Sequence, residues 1–105
     1  MKDLFNKTMG NHLPTLKQYV PVVAKVHGAH HPEFYEVRQL FDAIDKKAAE
    51  AGSDRPELSG EFAALREITK NYKVPEDTCE TFAAVYSMLS DLDRAYNAEM
   101  ESGSL

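Results

Sequence analysis

Apolar side chains recur at alternating steps of three and four along this 105-residue chain, and no stretch alternates with the period of two that a strand requires. Steps of three and four place side chains on one face of an α-helix. A chain made only of such stripes can bury them only by packing helix against helix. The longest stripe runs Asn6, Met9, Leu13, Leu16, Val20, Val23 and His27. It is apolar in its middle and polar at both ends. A histidine on such a seam is either a hydrogen-bonded core residue or a ligand, and that choice is most of the functional question.

The first segment, about residues 2 to 27, carries Pro14 and Pro21 one heptad apart. Proline removes a helical hydrogen bond and bends the helix. Because the stripe keeps phase across both prolines, the expectation is one kinked helix, with Gly28 as a left-handed cap. His31-Pro32-Glu33 opens a second helix with the seam Phe34, Val37, Phe41, Ile44, Ala48 and Ala51, ended by Gly52. Asp54 and Glu57 resemble a capping box for a third, whose apolar face is Leu58, Phe62, Leu65, Ile68 and Tyr72. Lys70 and Lys73 fall in its last turn, where cations are favoured. Pro75-Glu76-Asp77 then opens a fourth with Phe82, Val85, Leu89, Leu92, Tyr96 and Glu99 on its seam, before a frayed tail from Glu101. Four helices of about twenty residues with short connections predict an all-α, up-down-up-down antiparallel four-helix bundle, one domain over residues 1–105.

With a net charge of −5, the chain lacks the basic face that neutralises phosphates, so nucleic acid is not expected as a partner. The longest apolar run, Tyr19 to Ala24, is short and holds Pro21, so no membrane span is expected. Charges occupy the start of the chain, where a signal peptide needs apolar residues, which predicts a cytoplasmic protein. The one cysteine, Cys79, excludes an intrachain disulfide. No glycine-rich phosphate loop, metalloprotease helix motif or linear nucleophile–base pairing is present, so the residues give no reason to expect an enzyme.

The order Leu13-Pro14-x-Leu16, Lys25-Val26-His27-Gly28-x-x-His31-Pro32-Glu33 and Leu40-Phe41 is similar to the hemerythrin-like domain of the bacterial iron–sulfur cluster repair proteins. The second half agrees through Gly60-Glu61, Leu65-Arg66-x-Ile68-Thr69-x-Asn71-Tyr72, Pro75-x-x-Thr78-Cys79-x-Thr81, Tyr86 and Leu89. The resemblance implies a four-helix bundle around a non-haem di-iron site, used to repair clusters damaged by nitric oxide or oxidants. It also implies an N-terminal segment with paired cysteines. The ligands carry over poorly. His27 stands where the Val-His-Gly histidine belongs, but Asn6, Lys47, Ala51, Pro56, Glu99 and Gly103 occupy the other ligand positions. The connection between the second and third helices is also shorter, as if one end of the bundle had been trimmed.

Several readings follow. As metal ligands, the resemblance leaves His27 and Glu99; otherwise His27 is a core or cap histidine satisfied locally. If the family's geometry holds, Asn6, His27, Lys47 and Glu99 form a polar cluster in the vacated site, with a Lys47–Glu99 ion pair replacing metal. The opposing reading leaves Lys47 and Glu99 solvated at open helix ends. His12, His30 and His31 are expected at the surface or in caps. Cys79 reads as a small core residue near a helix start, where the dipole would lower its pKa if it were exposed. Trimming the bundle would expose Ala48, Ala51 and Leu58, which suggests a protein partner or a homodimer. The leading expectation is therefore a ligand-poor hemerythrin-like bundle with no cofactor, acting by protein contact. The alternative is an iron-binding repair protein with a reduced or intersubunit site.

Overall fold

The computed structural model describes residues 3–52 and 56–103, with side chains described from 4 to 98. It contains α1 (Asp3–His27), α2 (Glu33–Ala51), α3 (Ser59–Thr69) and α4 (Glu80–Gly103), with no strand among the described residues. The helices form an antiparallel bundle 43 Å long. α1 packs on α4 and on α2, and α2 packs on α3. Ring contacts fix the α1–α4 direction. Phe5 meets Tyr96 at one end, centroids 5.6 Å apart, and His27 meets Phe82 at the other, also at 5.6 Å.

α1 is helical without interruption through both prolines. Pro14 and Pro21 are exposed, as are Gly10 and Lys17, four residues before each. The carbonyls that lose their N–H partner are therefore on the wet side of the helix, where water replaces it. The buried stripe is Met9, Leu16, Val20 and Val23, as the spacing predicts, but at its start Phe5 is buried and Asn6 is exposed. Phe5 is one position away on the helix and brings far more apolar area, so the core takes the ring and leaves the amide to water.

Gly28 departs from expectation. Its φ is not left-handed, and among the described residues the glycine that adopts that conformation is Gly52, at 59°, which caps α2 by donating to the Ala49 carbonyl. What Gly28 supplies is space. A Cβ there would collide with the Ala24 carbonyl and the Tyr35 ring.

The largest correction concerns α3. The predicted twenty-residue helix is 11 residues long, and three consecutive residues, Lys70, Asn71 and Tyr72, follow it with φ of 55°, 61° and 63°. Left-handed conformations are costly for residues with a Cβ. Here they are held by a polar knot. Asp93 of α4, only 4% exposed, accepts from Arg66 at 2.6 Å, the Tyr72 hydroxyl at 2.7 Å and the Asn97 amide at 2.7 Å. The Tyr72 N–H donates to the Thr69 hydroxyl, which itself donates to the Leu65 carbonyl. Reaching Asp93 requires Tyr72 to turn off the helix axis, so α3 stops early. Lys70 caps the helix and Lys73 lies beyond it, so neither sits in a last turn.

α4 likewise begins at Glu80, five residues after the expected Pro75, and continues to Gly103 through the predicted tail. At the other end of α3, Leu58 is fully buried and its N–H donates to the Tyr96 hydroxyl, which donates in turn to the Pro56 carbonyl. Glu57 accepts from the Ser59 N–H; Asp54, the other half of the expected capping box, lies outside the described residues. Tyr96 thus closes the end that was expected to be bare, and Leu58 offers no exposed apolar surface there.

Replacing Asp93 by alanine leaves the Tyr72 hydroxyl and the Arg66 guanidinium without their acceptor. The expected loss is about 2–4 kcal/mol of unfolding free energy, read by urea denaturation. Burial, and secondarily the charge of Glu33, pushes the Tyr86 hydroxyl up to about 12. A phenol raised in the fold stabilises fully below its unfolded value near 10 and loses that contribution as pH rises through 12. Melting temperature should therefore fall between pH 10 and 12, and the fall should be shallower in Tyr86→Phe.

Candidate functional site

The polar side chains that the fold gathers lie at the end of the bundle where α1 stops and α4 starts, around the buried ring of Phe82. The chain leaves α1 at His27, whose carbonyl accepts the N–H groups of His30 at 3.1 Å and His31 at 2.8 Å. This tight turn carries the chain past the side-chain-free face of Gly28 and directly into α2. It brings the rings of His27, His31, Phe34 and Tyr86 against Phe82, with centroids 5.6, 5.7, 5.2 and 4.7 Å away.

Cys79 sits at the cap position of α4, its carbonyl accepting the Ala83 N–H at 3.1 Å. It is exposed, not a core residue, because α4 begins after it rather than before it. Its Sγ lies 3.2 Å from Nε2 of His27, across 52 residues of sequence. The thiol is held below its ordinary pKa, chiefly by the Phe82 N–H aimed at the sulfur and further by the N–H and hydroxyl of Thr81. These are the unpaired donors of a helix N-terminus, which favour a thiolate. A nucleophile and a base within hydrogen-bonding reach are thus present, although no linear motif announces them.

His31 sits beside this pair and is largely covered, with a side chain 14% exposed. Its Nδ1 is 3.1 Å from Glu33 Oε1 and its Nε2 is 3.0 Å from Asp77 Oδ1. A neutral imidazole carries one N–H, so both contacts are hydrogen bonds only when the ring is protonated. His31 therefore fastens the loop before α4 to the start of α2, a larger role than the surface position expected of it. His30 is exposed, and His12 meets Asp91 of α4 at 3.0 Å.

Of the expected polar cluster of Asn6, His27, Lys47 and Glu99, the structure places His27 apart from Asn6. Asn6 and His27 are on one unbroken helix, 21 residues and about 31 Å apart. Glu99 is 17 residues beyond Phe82 on α4, which puts it about 25 Å along the helix from the His27 end. Its side chain lies outside the described residues. The direction of α4 thus sets the Glu99 backbone toward the opposite end of the bundle from His27. Lys47 is exposed, and its Nζ pairs with Glu61 at 2.6 Å and reaches the Glu57 carbonyl at 3.4 Å. The hydrogen bond to Glu61 holds its pKa above the ordinary lysine value.

A di-iron centre in a four-helix bundle needs histidines and carboxylates pointing inward from facing helices. The inward positions here carry Leu16, Val20, Val37, Leu65, Leu89 and Leu92, all buried. The buried polar side chains described are Thr69 and Asp93, and each is already engaged in the knot that ends α3. Among the described residues no group of three or more histidine, cysteine or acidic side chains is arranged to hold a metal. This donor set does not fit a di-iron centre within one chain.

Compared with known proteins, the chain is similar to the iron–sulfur cluster repair protein ScdA of Staphylococcus haemolyticus, at 26% identity over 90% of its length. Two ScdA proteins of Staphylococcus epidermidis match the same share of the chain at 22% identity. The chain spans about half the length of these relatives, 56% in each case. The matched stretch, 125 residues, exceeds the 105 residues of this chain, so the alignment holds positions with no counterpart here. No protein-family model matches the chain. No solved structure matches it either.

Lys47 is half in water, but its partner Glu61 is largely covered, with a side chain 15% exposed, so Lys47→Met should lower the melting temperature modestly as that carboxylate loses its partner. An unchanged melting temperature in differential scanning calorimetry would show that the pair contributes nothing to stability.

Proposed function

We propose that this chain is a small helical bundle related to the iron–sulfur cluster repair proteins that has kept their framework and lost the intrachain di-iron centre. It acts by contact with protein in the cytoplasm. The observation that carries this reading is the hydrocarbon filling of the bundle interior, where inward histidines and carboxylates would have to stand. The resemblance to ScdA over nearly the whole chain supports the framework.

The contact surface is assigned to the outward side of α1. Val22 and Val26 are one turn apart there, 50% and 61% exposed. A covered pair would gain apolar burial. A second copy of the chain is the simplest partner. No described helix is long and apolar enough to cross a membrane.

Anaerobic addition of Fe(II) to the purified chain, followed by metal analysis and an optical spectrum after exposure to air, tests the first part. Substoichiometric iron and an unchanged melting temperature are expected. Tight uptake with near-ultraviolet oxo-bridge absorption would overturn it. Light scattering after size-exclusion chromatography tests the second part: a dimer dissociated by the double substitution Val22→Asp, Val26→Asp is expected, and a strict monomer at high concentration removes the homodimer.

A further inference from the structure

The turn that ends α3 encloses space on a flank of the bundle away from the exposed valines of α1. We propose that this cavity binds a small carboxylate with an apolar tail, its head on Lys70, Lys73 and the Tyr86 hydroxyl, its tail on Ile68, Val74 and Pro75.

The cavity follows from the early stop of α3. The left-handed turn at Lys70, Asn71 and Tyr72 carries the chain across to Asp93, and the loop then returns through Val74 and Pro75 toward α4. Between the end of α3, that loop, the start of α2 and Tyr86 of α4 lies a volume of about 520 Å³, open to solvent on one side. Small-ligand sites occupy roughly 300–1,000 Å³ and pair an apolar lining with a few convergent polar groups.

Tyr86 is the group that points to a ligand. It is only 2% exposed, its ring stacked on Phe34 and tilted against Phe82. The hydroxyls of Tyr72 and Tyr96 each have a protein acceptor, but among the described residues that of Tyr86 makes no hydrogen bond. No fully enclosed side-chain oxygen described lacks a partner, so the Tyr86 oxygen keeps access to open space. Glu33, whose charge acts on this phenol, lines the same cavity, which sets the hydroxyl on that side of the ring. A covered hydroxyl without a partner costs free energy that an oxygen of a bound ligand recovers.

Charge selects the kind of oxygen. Four charged side chains line the cavity: Lys70, Lys73, Glu33 and Glu76. Glu33 is engaged by His31 at 3.1 Å, whereas no ion pair holds either lysine or Glu76 among the described residues. The unpaired charge is therefore two positive against one negative, and a single carboxylate completes it. The phenol, protonated at neutral pH, donates to that carboxylate, and an ammonium donor strengthens the contact further. Ile68, Val74 and Pro75 offer only hydrocarbon to the remainder of the molecule.

The test is titration of the ¹⁵N-labelled chain at pH 7 with sodium octanoate, octan-1-ol and octylammonium chloride, followed by amide chemical shifts. Octanoate is expected to give saturable shifts confined to residues 68–76, Tyr86 and the start of α2. The alcohol and the amine should bind about tenfold more weakly, as should octanoate to the double substitution Lys70→Gln, Lys73→Gln. Tyr86→Phe should weaken octanoate about fivefold without lowering the melting temperature at pH 7, because no protein hydrogen bond is lost. No saturable shift by about 10 mM octanoate overturns the proposal. So does an alcohol or amine that binds as tightly as the carboxylate, or a folded lysine variant that binds like the parent. Should the lysine variant not fold, the ranking of the three probes on the parent chain decides.

Discussion

The antiparallel burial of α1 against α4 is the interaction on which the rest of this structure depends. The seam of Leu16, Val20 and Val23 against Val85, Leu89 and Leu92 is fully removed from water. Aromatic contacts close it at both ends: Phe5, Phe62 and Tyr96 at one and Phe34, Phe82 and Tyr86 at the other. Apolar burial is non-directional, so the seam alone would tolerate sliding. Rings at both ends, with the His12–Asp91 contact between them, fix the register. That register decides which polar residues can meet.

Two polar arrangements depend on it. The Asp93 knot replaces the missing length of α3: where a longer helix would continue down α4, a short one stops and sends Tyr72 across to a buried carboxylate. The knot is stabilising only as a whole, since a buried charge that loses its donors costs more than the pair contributes. The His27–Cys79 pair, by contrast, is at the rim, half in water. Its members are not needed to fill the core, and their conformation is set by elements whose own burial is complete.

The same register bears on the relation to the iron–sulfur cluster repair proteins. The resemblance to ScdA runs along almost the whole chain at low identity. A hydrocarbon interior is compatible with the same framework because leucine and valine fill the space between helices without needing partners. A histidine or carboxylate there would need one.

Much of the fold was legible in the sequence. Met9, Leu16, Val20 and Val23 of the first stripe, the seam Phe34, Val37, Phe41, Ile44, and the run Phe82, Val85, Leu89, Leu92, Tyr96 are buried as their spacing predicts, with Leu13 partly so. Helical period is a local property, and local sequence states it. The misreadings share one cause. Tyr72 fits the apolar face of a longer α3, and nothing local says that its hydroxyl has a carboxylate waiting 21 residues ahead. Asn6 fits a seam position, and only the neighbouring Phe5 decides that it faces water. Cys79 and His27 are 52 residues apart, and no spacing rule joins them. The sequence by itself determined four helices and the faces they bury, because those follow from periodicity within each segment. The tertiary structure decided where α3 ends, which polar residues are covered and that a thiol meets an imidazole, because each of these depends on what a second helix brings to the same place.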